Sequence, residues 1–135
     1  MAPIPIALYA VQLDMARKVQ EALLPEYDVV HVVLTLKATE DELRPLMAGD
    51  TSVEPSSEVG SNATRAAGER LIPRVLVFSA SVPDADVQAA VRAAKVPAGA
   101  YAQPDASEVR AQGSGKDPAA YARVLKTKLT GMGYK

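Results

Sequence analysis

Residues 27–36 read YDVVHVVLTL. The run is dense in β-branched side chains and nearly continuous in apolar ones. A strand with one wet face alternates apolar and polar residues. A strand buried on both faces does not, and that is how strands of a parallel sheet read. The stretch therefore points to a sheet covered by helices on both sides. Just upstream, residues 4–10 form a second apolar run after two prolines. Between the two, Val11, Met15, Ala16, Val19, Ala22 and Leu23 recur at helical spacing, with Arg17, Lys18, Gln20 and Glu21 opposite and Pro25 as the stop. Strand, helix, strand is the opening unit.

The same rhythm resumes downstream. Residues 74–79, RVLVFS, form the clearest strand. Pro83 and Asp84 open a helix with Val87, Ala90, Val91 and Ala94 on one face, and residues 98–102 make a fourth strand. Asp117 followed by Pro118 is a strong helix start, because Asp caps well and Pro suits the first helical turn. Tyr121, Val124, Leu125 and Leu129 give that helix its buried stripe, and Gly131 ends it. Thr39 with Glu42 three residues on fits a capping box, predicting a short helix to about Met47 that Pro45 keeps short or bent. Two stretches lack a period: 48–68, expected as a flexible loop, and 104–116, expected as a second loop. The alternation predicts one domain spanning 1–135. Its fold class is α/β, a three-layer α/β/α sandwich on a parallel sheet of four strands, or five, flavodoxin-like or Rossmann-like in architecture.

Composition limits the chemistry. The 135 residues are 48% apolar, mostly Ala, Val and Leu, with one Phe and no Trp, so few rings are available to stack bases or sugars. Fifteen basic and sixteen acidic residues give a net charge of −1, which argues against a nucleic-acid partner. Cysteine is absent, which excludes thiolate ligands, disulfides and thiol nucleophiles. The one histidine, His31, sits among valines and reads as a packed side chain bonded to a neighbour. The N-terminal residues carry neither a signal peptide nor a membrane span, and the expected location is cytoplasmic. Asn62-Ala63-Thr64 fits a glycosylation sequon that goes unused without secretion. No cofactor and no metal site is expected. Asp50, Glu54 and Glu58 read as solvated loop charge, and Glu40, Asp41 and Glu42 as a charged first helical turn.

Segments 6–33 (IALYAVQLDMARKVQEALLPEYDVVHVV) and 75–104 (VLVFSASVPDADVQAAVRAAKVPAGAYAQP) resemble the response-regulator receiver family, and more broadly flavodoxin-like domains. The second resembles a receiver's fourth strand, fourth helix and fifth strand. Ser79-Ala80 stands where that family has a switch Ser/Thr and a small residue, and Gln103-Pro104 where it has Lys-Pro. The departures are specific. Ala10-Val11-Gln12 replaces the metal-binding acids, no apolar strand ends in the phosphoacceptor Asp, and Gln103 replaces the lysine. The resemblance implies a receiver-like domain without aspartyl-phosphate chemistry.

In an open parallel sheet, ligands bind beyond the carboxyl ends of the strands. That rule nominates Tyr9, Gln12, Thr35, Ser79, Ser81 and Gln103 as ligand-binding residues, with Lys37 and Tyr101 beside them. Ser81 has the ordinary alternative of capping its helix. Arg65 joins the set if the long loop folds over this rim, where it would face an anion. Gly113-Ser114-Gly115-Lys116 has only part of a phosphate-loop pattern, since Arg110 and Asp117 stand where Gly and Ser/Thr are needed. No residue is assigned as catalytic. The expected function is a non-catalytic binding or regulatory domain, with a protein partner or a small anionic ligand, or with a second copy meeting it through helices as a homodimer. The alternative is a small enzyme, or enzyme subunit, binding an anionic metabolite at the carboxyl edge. A third option is a partner-recruiting protein whose long loop folds on binding.

Overall fold

In the computed structural model, which describes residues 2–113 and 117–134, four parallel strands form one sheet in the order β2-β1-β3-β4. They are β1 (Ile4–Tyr9), β2 (Tyr27–Val33), β3 (Leu76–Phe78) and β4 (Tyr101–Ala102). Five helical segments connect and cover them. These are α1 (Leu13–Leu23), α2 (continuous through Leu36–Ala38, Thr39–Leu43 and Arg44–Met47), α3 (Asp84–Ala93), α4 (Ala106–Gln112) and α5 (Pro118–Gly131). The chain is a flavodoxin-like α/β domain with a four-stranded parallel sheet, as its strand–helix alternation predicts. The strand that resembles a receiver's fourth hydrogen-bonds directly to β1, and no strand lies between them among the described residues.

Alternation along the strands divides the core in two. Ile6, Leu8, Val75 and Val77 face α1, α4 and α5, meeting Ala16, Val19, Leu23, Val109, Tyr121, Leu125 and Leu129. Ala7, Tyr9, Leu76 and Phe78 face the other way, onto Leu43 and Leu46 of α2 and Val87 and Ala90 of α3. Removing such side chains from water, at about 25 cal/mol per Å2, is the main favourable contribution to folding. In β2 the pairing steps from Ile6↔Val29 to Ala7↔His31, so Val30 is an extra residue. The bulge resets the alternation. It turns His31 towards α2, while Val32 stays with the first face and Val33 with the second.

Several expectations are corrected. β2 ends at Val33, not Leu36, because Thr35 caps α2: its Oγ1 accepts the Ala38 N–H at 3.0 Å. Thr39 is therefore not the N-cap. It is fully buried inside the helix, donating its hydroxyl to the Thr35 carbonyl at 2.8 Å. The helix widens to a π turn over Thr39–Leu43, with the Arg44 N–H reaching the Thr39 carbonyl. Pro45 follows at once and lacks the amide that an α turn would need there. Val11 lies before α1 and is 58% exposed, so it is not part of the buried stripe. The 104–116 stretch contains helix α4, capped by Asp105, whose carboxylate accepts the Ser107 N–H at 2.8 Å. Val109 is that helix's single buried anchor. Asp117 and Pro118 start α5 as read, with Asp117 accepting the Ala119 N–H at 2.9 Å. Ser114, Gly115 and Lys116 of the phosphate-loop-like pattern lie outside the described residues.

The stretch from 48 to 73 forms no strand among the described residues, only 3-10 turns at Ser61–Thr64 and Ala67–Glu69. It runs back along the outer edge of β2. The Val32 N–H bonds to the Val59 carbonyl at 3.2 Å, and the Ser57 hydroxyl donates to the Val32 carbonyl at 2.7 Å. Its polar skeleton is buried. Asn62 is fully enclosed and bonds both the Leu71 N–H (3.0 Å) and the Leu71 carbonyl (2.9 Å). The Arg70 guanidinium donates to the carbonyls of Thr51, Val53 and Asn62 and to Glu54. Enclosed in this way, the Asn62 amide of the sequon is out of reach of a glycosylating enzyme in the folded chain.

Candidate functional site

β1 leaves the sheet at Ala10, whose N–H bonds to the Val33 carbonyl. Val11 and Gln12 then turn outward before α1. Gln12 occupies the N-cap position of α1, but its side chain makes no capping bond, which leaves its amide available. β3 ends beside it, where the Ser79 N–H bonds to the Tyr9 carbonyl at 3.0 Å. The chain connects from β1 to β2 on one side and reaches β3 on the other, so the gap between β1 and β3 is the topological switch point of the sheet.

A groove of about 560 Å3 opens there. Its walls are Val11 and Gln12, the first turns of α1 (Asp14, Met15, Lys18, Val19), the loop Ser79-Ala80-Ser81, and Pro118 and Tyr121 of α5. The volume lies in the ordinary range for small-molecule sites. Gln12, Ser79 and Ser81 are the three nominated residues that the fold brings together. Asp14 and Lys18 are two further polar groups in the walls, Lys18 missed because it read as the solvent side of α1. The signal was present: Lys18 follows Asp14 by four residues, about one helical turn, and so shares a face of α1 with it. Tyr121 is buried beneath, donating its hydroxyl to the Phe78 carbonyl at 2.7 Å. Burial pushes that phenol's pKa far up, so it remains a fixed neutral donor.

The other nominated residues lie elsewhere. Tyr9 points to the opposite face of the sheet and stacks on Phe78, with ring centroids 5.6 Å apart. Burial, and then the charge of Asp86, raise its pKa. Thr35 is committed to capping α2. Gln103 reaches the rim, but as a brace: its Nε2 donates to the carbonyls of Ser79 (2.9 Å) and Val82 (2.8 Å), fixing the loop that forms one wall. Arg65 is not at this rim. It pairs with Asp28 at 3.0 Å, near the amino end of β2, because the loop carrying it follows the sheet edge and not the carboxyl ends. Ser81 is not a helix cap either. The N-cap position of α3 is Pro83, with no side-chain bond, so the Ser81 hydroxyl is exposed beside the groove.

A second polar cluster lies on the far side of β2. The His31 Nε2 is 2.8 Å from Glu42 Oε1, and Glu42 also accepts from the Ser56 N–H (3.1 Å) and hydroxyl (2.6 Å). Burial lowers the pKa of His31 more than Glu42 raises it, and the charge of Arg70 lowers it further. The ring is therefore neutral at pH 7, donates from Nε2, and leaves Nδ1 buried without a partner. His31 is thus the packed, bonded histidine that the sequence predicts. Glu42 as its partner was hidden behind the capping-box pattern. The loop acids are engaged locally. Asp50 accepts the Ser52 N–H and hydroxyl, which lower its pKa, and Glu54 pairs with Arg70. Among the described residues no three of His, Asp and Glu gather in a set that could hold a metal ion. No helix among them is long and apolar enough to cross a membrane.

A shallower groove of about 680 Å3 lies between α4 and α5, with Glu108, Arg123, Lys126 and Lys128 among its walls. It carries both charge signs, and its lysine at 126 is paired with Glu26 at 2.6 Å. The switch-point groove is the better candidate, because strand ends and loops converge on it. The chain shows no significant match to any protein-family model, curated protein or solved structure.

Proposed function

We propose that this chain is a non-catalytic binding or regulatory domain, receiver-like in shape and without phosphorylation chemistry, whose working surface is the switch-point groove. The observation that carries this reading is the makeup of the groove walls. They offer an amide, two hydroxyls, an ammonium and the carboxylate of Asp14 around an aliphatic floor. These groups bind and orient. The buried side chains with shifted proton affinity are held by the fold: His31 bonds Glu42, Tyr121 donates to the Phe78 carbonyl, and Tyr9 lies on the opposite face of the sheet. An 15N-resolved NMR titration with a fragment library tests it. Bound fragments should perturb the amides of Gln12, Lys18, Ser79 and Ser81 and emerge chemically unchanged. Perturbations confined to other surfaces would overturn the reading.

A second reading, a small enzyme or enzyme subunit that takes an anionic metabolite at the same rim, is favoured by one fact: Lys18, Ser79 and Ser81 share one groove. Conversion of a bound compound during the titration would select it.

A further inference from the structure

We infer that the groove takes a monoanionic aliphatic carboxylate, a molecule with a saturated body and a single acidic head. This rests on the binding-domain reading and names its ligand class. The floor and mouth fix the body. Val11, Met15, Val19, Ala80 and Pro118 line the groove, and Val11 stands 58% exposed at its edge, a large apolar side chain left in water beside a cavity. The one ring in the walls, that of Tyr121, is 3% exposed and has no aromatic partner in the groove, so a base or sugar finds no pair of faces to stack between. A flexible saturated chain needs only the aliphatic surface that is present.

The polar wall fixes the head. Among the described residues Lys18 makes no ion pair, whereas its neighbour Arg17 leans on Asp14 at 3.7 Å. The hydroxyls of Ser79 and Ser81 line the same groove on the β3 side, in a loop held still by Gln103. One ammonium and two hydroxyls match the two oxygens and single charge of a carboxylate. They suit a dianion poorly. Asp14 lines the same groove and Lys18 is the one cation among its walls, so a second negative charge would meet a carboxylate with no further ammonium to balance it.

Octanoate, octanol, octylammonium, acetate and inorganic phosphate form the test, titrated below their aggregation limits and followed by NMR on the intact chain. Octanoate should perturb Gln12, Lys18, Ser79 and Ser81 and bind more tightly than octanol, and octanol more tightly than octylammonium. Acetate and phosphate should leave the groove unperturbed. Lys18→Gln, an exposed position that leaves the fold intact, should weaken octanoate about fivefold and leave octanol unchanged, the scale of one solvent-facing ion pair. Val11→Ser, which removes apolar surface without adding charge, should weaken octanoate and octanol alike. Octylammonium binding as well as octanoate, or an octanoate-to-octanol ratio untouched by Lys18→Gln, overturns the ligand class. A nucleotide or phosphosugar that occupies the groove while octanoate does not overturns it too, but leaves the binding-domain reading standing. Silence of the groove towards every compound removes both.

Discussion

Gly60 has a φ of +112°, and a Cβ built there would lie 2.5 Å from the Val30 carbonyl oxygen. Two requirements meet at one position. The backbone needs the left-handed region, and the strap must touch the bulge of β2 with nothing between. Gly60→Ala should cost about 1–3 kcal/mol from the strained backbone alone, with the clash added. Urea unfolding measures it, and an unchanged midpoint would mean the strap does not press on β2. Gly49, with a similar φ of +108° but open space around it, should lose less on the same substitution. At His31 the folded chain binds a proton less readily than the unfolded one. The resulting stability is complete above about pH 6.5, the ordinary imidazole value, and drains away as pH falls below it, because only the unfolded chain takes the proton up. The stability difference between the parent and His31→Gln should therefore shift in the variant's favour between pH 7.5 and pH 5. A difference that stays flat with pH would contradict the neutral, enclosed ring.

At the scale of elements, α2 shows what a local pattern does and does not determine. Thr39 with Glu42 three residues later has the spacing of a capping box, yet four residues upstream Thr35 offers the same hydroxyl. Burial decided between them. Thr39 is drawn inside with Leu43, and Glu42 is turned to His31, a partner fixed by the bulge in another strand. No window of α2 alone contains that information. Thr35→Ala should destabilise the chain by about 1 kcal/mol, as cap losses do. Glu42→Ala should instead release the Ser56 contact, seen as faster amide exchange at residue 56 with α2 intact. Equal exchange in the two variants would restore the capping-box reading. β1, β3, α1, α3 and α5 were legible because their apolar periods are long or their caps strong. α4 was not, having one buried anchor, Val109, in seven residues.

For the whole molecule, the parallel sheet followed from alternation, and the carboxyl-end rule nominated Gln12, Ser79 and Ser81, which meet at one groove; the strand order and the switch point are visible only in the structure. The course of the long segment was illegible too. A loop over the carboxyl rim would have delivered Arg65 to a ligand. A loop along the edge of β2 delivers it to Asp28 and shields unpaired strand amides from other chains. Asn62 holds that course, standing in for a strand partner to both backbone groups of Leu71. Asn62→Ala should leave those groups unsatisfied, at about 1–3 kcal/mol each, and should raise light scattering at mild urea concentrations where the parent stays clear. Lost stability without any self-association would show that the strap is a brace but not a guard.

The pairing of Ala7 with both His31 and Leu76 also sets an order of events. β1, α1 and β2 are near neighbours along the chain and can nucleate together, whereas β3 must wait for the whole strap to close a long loop before its contacts repay the lost entropy. Damage to the strap should then speed escape from the native state far more than it slows arrival there. In a cell such a variant would fold on schedule and be lost to proteases afterwards, a fault of lifetime and not of birth.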